Sequence, residues 1–424
     1  MAEDPWPDLP EPDPNERFDL SKLFSNLDMA QVFHVLSTPG PLNWQIASQF
    51  ATLSATGGED EPPIAEADRT QLEELAHAAQ THVVGETGLA LTFTAPVRAM
   101  RREEWASLHI EALRPVLETF AQNLGQVFSP EVMRGLFEQV DLSAAGLDEL
   151  GIDPSATEVP DPEQLAGLAP MLAPLLLGVQ AGSMIGYLAR HALGRYDLPL
   201  PASDEPSLCF VVPNLDAFET DWSLDRADLR FYVAIHEVVH AATRSVPWVR
   251  ERLVELATEY VSAYELDPTV LDARLGDSRF AELDPDDPAS LQALAEHPEE
   301  LLGALRTDHQ RALLERARVF HAVLDGYADV VLERVGRRLI GQFDRIHEAM
   351  ARHRIERGEA ERFVEGLLGL AVDRDDYERG GAFARGVVER ADLDGLNRLW
   401  TSPDMTPTPN ELVAPGLWLA RISL

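Results

Sequence analysis

The sequence contains very little cysteine and very little lysine. Cys209 is the only cysteine, so the chain forms no intramolecular disulfide and no cysteine-based zinc knuckle. Lys22 is the only lysine, and 35 basic residues stand against 72 acidic ones, which gives a formal net charge of −37. Because this charge repels nucleic acid and anionic membrane surfaces, we expect neither as a partner.

The beginning of the chain lacks the basic start and the apolar run of a signal peptide. Residues 1–19 are acidic and rich in proline, a composition typical of a disordered tail. We therefore expect a cytoplasmic protein.

One segment, 165–189, has no charged residue and is long enough to suggest a membrane span. Prolines interrupt its first half, and Gly178, Gly182 and Gly186 form a stripe at i, i+4 spacing. Such a stripe lets a second helix approach closely. We favour a buried core helix, with a membrane span as the alternative.

Hydrophobic patterning predicts a mainly helical chain with a small β-sheet near its middle, an α+β architecture. The strongest strand pattern is at 207–215, and a helix is predicted from Arg226 to about Ser245 with Asp225 as its N-cap.

That helix carries His236, Glu237 and His240 among valines and alanines. Histidines four residues apart share one face of a helix, so both can bind one Zn²⁺ while the glutamate reaches the metal's water. Zinc lowers the pKa of that water toward 7, and the glutamate takes its proton as it attacks a carbonyl. The pattern also fits two hydrogen-bonded core histidines and a glutamate paired with Arg230 or Arg244.

A catalytic zinc needs a third protein ligand, and three residues compete for this role. Glu259 follows His240 after eighteen intervening residues, Asp325 lies in a second predicted helix, and His321 lies one turn before Asp325. Asp329 shares the face of Asp325 and would accept a hydrogen bond from the far nitrogen of a ligand imidazole.

The segment Asp325-Gly326-Tyr327-Ala328 resembles the E-G-F-A segment that carries the third ligand in gluzincin-type peptidases. We therefore favour Asp325. A glycine inside a helix costs about 1 kcal/mol relative to alanine, so Gly326 indicates the close approach of another backbone or of a ligand.

Five segments together resemble a family of actinobacterial zincin-like proteins: "GPLNWQIA", "GRYDLPLP", "FVVPNLDAFETDWSLDRADLRFYVAIHEVVHAA", "LDGYADVVLERVG" and "FARGVVERADLDGLNRLWTSP". The family is known as zinc-dependent metalloproteases or hydrolases, sometimes named for an association with coenzyme F420 biosynthesis. The resemblance implies a zincin-like metallopeptidase core. It also implies His236 and His240 as zinc ligands, Glu237 as catalytic base, and the acidic residue at 325 as third ligand. Asp325 is one methylene shorter than the glutamate of the family's motif.

We expect one compact unit that divides into a disordered tail at 1–19, an N-terminal helical region at 20–160, a zincin-like catalytic core at 161–350 and a C-terminal helical region at 351–424.

The expected function is a zinc-dependent metallohydrolase that cleaves amide bonds in a peptide or protein substrate. The candidates for the donor to the oxyanion are Tyr260, Tyr264, Tyr327 and His347. The strand at 208–212 is expected to pair with an extended substrate. The alternative is a catalytically inactive binding or scaffold protein on a zincin-like fold.

Overall fold

The structure is a computed structural model that describes residues 40–89, 91, 97–127, 162–201, 206–265, 306–355 and 358–423. The tail expected at 1–19 lies outside these residues.

The described chain is mainly helical with one small sheet, which confirms the α+β class. Its helices are α1 (Trp44–Thr56), α2 (Glu66–Thr87), α3 (Arg102–Ala112), α4 (Arg114–Val127), α5 (Pro162–Ala189), α6 (Val212–Asp221), α7 (Arg226–Arg244), α8 (Pro247–Ser262), α9 (Asp308–Leu339), α10 (Phe343–Ile355), α11 (Glu359–Leu368), α12 (Arg374–Asn397), α13 (Pro409–Val413) and α14 (Pro415–Ile422). The strands are β1 (Val97–Met100) and β2 (Leu208–Val211).

The two strands pair in parallel, with Val97 opposite Leu208 and Met100 opposite Val211. β2 is buried along its whole length, and Phe210 also forms an antiparallel bridge with Gly194. Because β2 has a backbone neighbour on each side, it offers no free edge to a substrate strand. The expectation that this strand pairs with an extended substrate is therefore wrong. The strand is also shorter than predicted, because the chain enters α6 directly at Val212.

Helix α7 begins where the sequence predicts. The side chain of Asp225 accepts hydrogen bonds from the backbone N–H groups of Ala227 and Asp228, both at 3.0 Å. These bonds satisfy two of the donors that a helix N-terminus leaves free. The burial of nearly every residue after Leu229 makes α7 a central helix of the core.

The glycine stripe of α5 packs against α1. A Cβ atom on Gly178 would lie 2.6 Å from the carbonyl oxygen of Asn43, and one on Gly182 would lie 2.2 Å from that of Ala47. One on Gly186 would also meet the α1 backbone. The stripe therefore serves helix packing, as predicted. Within the described ranges, no helix combines the length and the apolarity needed to cross a membrane.

Helices α9 and α12 meet through a second pair of glycines. A Cβ atom on Gly326 would lie 2.2 Å from the carbonyl oxygen of Gly380, and one on Gly380 would lie 2.0 Å from that of Ala322. This confirms the predicted close approach of another backbone at Gly326. The contact fixes the depth at which α9, with Asp325 and Asp329, sits in the protein.

Side chains from the three predicted regions share one core. Leu72 of α2, Val238 of α7 and Phe383 of α12 belong to the same cluster of buried apolar residues. The region boundaries at 160 and 350 stay predictions, and this shared core favours the single compact unit.

The Gly326 contact generates a stability prediction. We expect Gly326→Ala to lower the free energy of unfolding by about 1–3 kcal/mol, because the added methyl group overlaps the α12 backbone. Gly85→Ala in α2 is the matched control, since a Cβ atom there meets nothing within 4 Å, and it should raise the free energy of unfolding by about 0.5–1 kcal/mol. Urea unfolding of both variants measures this, and equal effects would contradict the packing account.

Candidate metal centre

Helix α7 carries the motif formed by His236, Glu237 and His240, and it holds the two histidines on one buried face. His236 and His240 are 4% and 1% exposed, and their ring centroids lie 4.4 Å apart. The i, i+4 spacing and the shared face follow from helix geometry alone. A single rigid helix thus offers two imidazoles to one metal ion.

Helix α9 brings a carboxylate to this pair. The Oδ1 atom of Asp325 lies 3.6 Å from the Nε2 atom of His240. Two ligands that are each about 2.0–2.2 Å from a tetrahedral Zn²⁺ lie about 3.3–3.6 Å from each other. The spacing of these two atoms therefore suits neighbouring ligands of one cation.

The Nε2 atom of His240 is buried and has no hydrogen-bond partner among the described residues. Such atoms are rare in folded proteins and call for a specific explanation. Burial lowers the pKa of His240 well below its usual range, with His236 and Arg244 adding to this, so its ring is neutral. A neutral imidazole beside a carboxylate is a donor set that fits a divalent cation.

The arrangement is not a finished cage. Over the residues that the structure describes, no group of three or more His, Cys, Asp and Glu side chains is already placed to hold a metal ion. His321 is buried one turn before Asp325 on α9 and contributes to the electrostatics of His240. Closing a site around His236, His240 and Asp325 therefore requires side chains to adjust.

One contact competes with a cation. The Nη1 atom of Arg244 lies 2.7 Å from Nδ1 of His240. Because a guanidinium can only donate, Nδ1 is the acceptor, and a neutral ring then carries its proton on Nε2. When Nε2 of a neutral ring binds a metal ion, the ring proton lies on Nδ1. Metal binding through Nε2 therefore requires Arg244 to move away from Nδ1.

The carboxylate of Glu237 is held by backbone rather than by an arginine. Its two oxygens accept hydrogen bonds from the backbone N–H groups of Arg195 and Tyr196, each at 2.9 Å. The alternative pairing with Arg230 or Arg244 is not formed. Each oxygen of Glu237 retains a lone pair for a further donor.

Gly194 makes room for the carboxylate of Glu237 to accept these two hydrogen bonds. A Cβ atom on Gly194 would lie 2.4 Å from Oε1 of Glu237, so a residue with a side chain cannot stand there without displacing the carboxylate. The bridge from Gly194 to Phe210 ties the same segment to β2. The sheet therefore positions the glutamate of the motif.

Arg230 serves the fold instead. It is fully buried and ion-pairs with Asp68, Asp216 and Glu219, at distances of 2.7 to 2.9 Å. These contacts join α7 to α2 and α6, which hold the amino-terminal part of the motif helix.

Asp329 accepts a hydrogen bond from Arg354 at 3.0 Å, and neither imidazole of the motif is its partner. The predicted bond to a ligand imidazole is therefore not formed in this structure. Arg354 lies in α10 and interacts electrostatically with Asp325 as well. Asp329 thus positions the buried guanidinium of Arg354 beside the candidate metal centre.

A carboxylate that the motif analysis did not single out lies close to the centre. Asp197 accepts hydrogen bonds from Nε2 of His353 and from the backbone N–H of Leu193, both at 3.0 Å. Burial alone raises the pKa of Asp197, but His353, the backbone N–H of Leu193 and His236 together hold it well below its usual range. Its position in "GRYDLPLP", one of the resembling segments, was the available signal.

Glu259 lies apart from the histidine pair. Its side chain is 38% exposed, and it pairs with Arg316 at 3.5 Å. Of the three candidates for third ligand, α9 thus brings Asp325 and His321 toward the motif, whereas α8 carries Glu259 to the surface.

The four candidates for the oxyanion donor already have other partners. The hydroxyl groups of Tyr260, Tyr264 and Tyr327 donate to Gly366, Leu367 and Asn397, and Nδ1 of His347 lies 2.8 Å from the hydroxyl oxygen of Tyr232. None of these bonds involves His236, Glu237 or His240.

Tyr196 has the properties that those four lack. Its hydroxyl is buried and has no hydrogen-bond partner in the described part of the chain. Its ring centroid lies 6.1 Å from that of His240, and the guanidinium of Arg244 lies 4.7 Å from its centre. Burial raises the pKa of Tyr196, so the hydroxyl keeps its proton. The segment that holds Glu237 thus also supplies a free donor.

Comparison with known proteins agrees with this geometry. The family model for zincin-like metallopeptidases matches residues 42–419. A crystal structure from Chloroflexus aurantiacus, described as that of a candidate hydrolase with a novel fold, superposes with a TM-score of 0.59. The two chains are 23% identical, and the match covers 90% of this chain and 99% of the other. This likeness establishes a shared fold. A comparison with curated proteins gives no match.

Proposed function

Since the chain belongs to the zincin-like metallopeptidase family, we propose that it is a zinc-dependent hydrolase that cleaves amide bonds in peptides or proteins. One observation carries the proposal: the buried Nε2 atom of His240, without a hydrogen-bond partner in the described ranges, faces the carboxylate of Asp325 at 3.6 Å. His236, on the same helix face, completes a set of three ligands.

In this proposal His236, His240 and Asp325 hold the Zn²⁺. When bound, the ion lowers the pKa of a water and polarises the substrate carbonyl. Asp325 has one methylene fewer than glutamate, and its Oδ1 atom nevertheless lies 3.6 Å from Nε2 of His240.

Glu237 acts as the general base. Its carboxylate accepts a proton from the water whose oxygen attacks the carbonyl carbon, and it passes that proton to the nitrogen as the C–N bond breaks. The backbone N–H groups of Arg195 and Tyr196 fix the carboxylate's orientation throughout. A general base held in this way avoids the entropic cost of orienting a free side chain.

Tyr196 is the donor to the oxyanion in this account. Its protonated hydroxyl has no competing acceptor within the described residues, and the nearby guanidinium of Arg244 adds positive potential. A donor in a water-excluded site stabilises developing negative charge without reorganising.

One observation favours a second function. The hydrogen bond from Arg244 to Nδ1 of His240 fits a metal-free protein, in which these two buried side chains are each other's partners. A catalytically inactive binding or scaffold protein would keep this arrangement. The two functions differ in metal content and in turnover.

The first prediction concerns the base. Purified wild-type protein should contain about one zinc per chain and cleave members of a peptide library. Glu237→Gln should keep the zinc and lose about 10²–10⁴-fold in kcat, because the proton acceptor is gone. Glu259→Gln, which changes a partly exposed glutamate, is the control and should retain full activity. A wild type without zinc or turnover would support the scaffold function instead.

The second prediction concerns the third ligand. Asp325→Ala should weaken zinc binding by about 10-fold or more, because one charged ligand is lost. Glu259→Ala should leave zinc affinity unchanged, since its carboxylate pairs with Arg316. Competition with a chromogenic chelator measures both affinities. Loss of zinc in Glu259→Ala but not in Asp325→Ala would reverse the assignment, and loss in His321→Ala alone would move it to that histidine.

The third prediction concerns Tyr196. We expect Tyr196→Phe to lower kcat by about 10²–10³-fold, with zinc content and KM nearly unchanged, because only stabilisation of the oxyanion is removed. Tyr264→Phe removes a hydroxyl bonded to Leu367 and serves as the control. Equal kcat values for the two variants would exclude Tyr196 from the reaction.

A further inference from the structure

A cavity of about 310 Å³ is lined by residues of α9, α10, α11 and α12 and of the segments next to them, and none of these residues is a candidate metal ligand. Its lining includes five arginines from five different parts of the described chain: Arg306, Arg318, Arg354, Arg362 and Arg374. Only two carboxylates, those of Glu365 and Asp373, line the same cavity. In a chain with 35 basic and 72 acidic residues, this reverses the prevailing sign of charge.

Part of this positive charge is neutralised within the fold. Arg318 lies 3.3 Å from Asp373, and Arg374 lies 2.9 Å from Glu378. These pairs sit on partly or largely exposed side chains and hold the lining together. Neither pair involves Arg306 or Arg354.

Arg306 has neutral partners. Its guanidinium donates to the hydroxyl of Tyr260 at 3.0 Å and to the carbonyl oxygen of Gly366 at 3.4 Å. No carboxylate of the described residues forms an ion pair with it. A half-buried guanidinium held by neutral acceptors keeps its full charge available to a ligand.

Arg354 supplies a second, independent observation. It is 9% exposed, and its Nε atom is buried without an acceptor among the residues described, although Nη2 donates to Asp329 at 3.0 Å. Burial alone lowers the pKa of Arg354, but Asp329, Tyr232 and Asp325 together outweigh this effect and raise it, so the guanidinium stays charged. A buried N–H with no acceptor indicates a missing partner.

We propose that this cavity binds a small organic anion through a carboxylate or phosphate group, with Arg306 and Arg354 as its principal donors. The planar fork of a guanidinium matches the two oxygens of either group. The volume suits a small ligand rather than a macromolecule. No candidate zinc ligand lines the cavity, and the link between the two sites is the electrostatic interaction of Arg354 with Asp325.

Calorimetric titration of the full-length protein at low salt tests this, with inorganic phosphate and N-acetylalanine as probes and N-acetylalaninamide as the neutral control. We expect a Kd of about 1 mM or tighter for at least one anion and no binding of the amide. Arg306→Gln should weaken that binding about tenfold or more. Arg316→Gln makes the same charge change outside the cavity and should leave it unchanged. The preferred probe identifies the source, phosphate compounds or free carboxylates.

A His236→Ala variant separates the cavity from the metal centre. Retained anion binding in this variant, with loss in Arg306→Gln, supports the cavity. Loss in His236→Ala with retention in Arg306→Gln assigns the anion to the metal and overturns the proposal, as does a Kd weaker than about 10 mM for both anions. Should Arg306→Gln fail to fold, Arg306→Lys keeps the charge without the fork. It must also weaken binding, and unchanged affinity would overturn the proposal.

Discussion

The approach of Asp325 to His240 is the contact on which the rest of the account depends. It joins two long helices, α7 and α9, and α9 is in turn seated against α12 through glycines at 326 and 380. A largely buried carboxylate beside a buried imidazole is costly to maintain without compensation. Their juxtaposition at a distance suited to two ligands of one cation gives that cost a function. Glu237, Tyr196 and Arg354 are then arranged around this pair.

The protein combines an acidic composition with a basic interior near the centre. Arg195, Arg244 and Arg354 are buried around the motif, and each lies near an acidic or aromatic group. Burial raises the pKa of Asp325, and the positive potential of Arg354 and Arg244 partly offsets this effect and would stabilise an oxyanion. This positive potential also disfavours a bound cation. The balance between Asp325 and Arg244 at His240 thus separates a metalloenzyme from a metal-free scaffold.

Local features of the sequence predicted local features of the structure. The cap at Asp225, the end of α7 near Ser245, the packing stripe from Gly178 to Gly186 and the close approach at Gly326 all follow from patterns within a few turns of helix. Helix periodicity also placed both histidines on one face. These predictions required no knowledge of which elements meet.

Contacts between distant segments could not be read from such patterns. The backbone hydrogen bonds to Glu237 depend on the bridge from Gly194 to β2, and the hydrogen bond that Arg354 donates to Asp329 joins residues on different helices. The same bridge removes the free edge that a strand at 208–212 was expected to offer. Helical spacing placed Asp325 and Asp329 on one face, but only the packed core determines that the first meets an imidazole and the second an arginine.

The most direct test of the central claim is diffraction at the zinc absorption edge from crystals of the full-length protein. The account predicts one anomalous peak per chain, with nitrogen atoms of His236 and His240 and an oxygen of Asp325 about 2.0–2.2 Å away. A structure without such a peak, in which Arg244 still donates to His240 and Asp325 stays outside ligand distance, would contradict it.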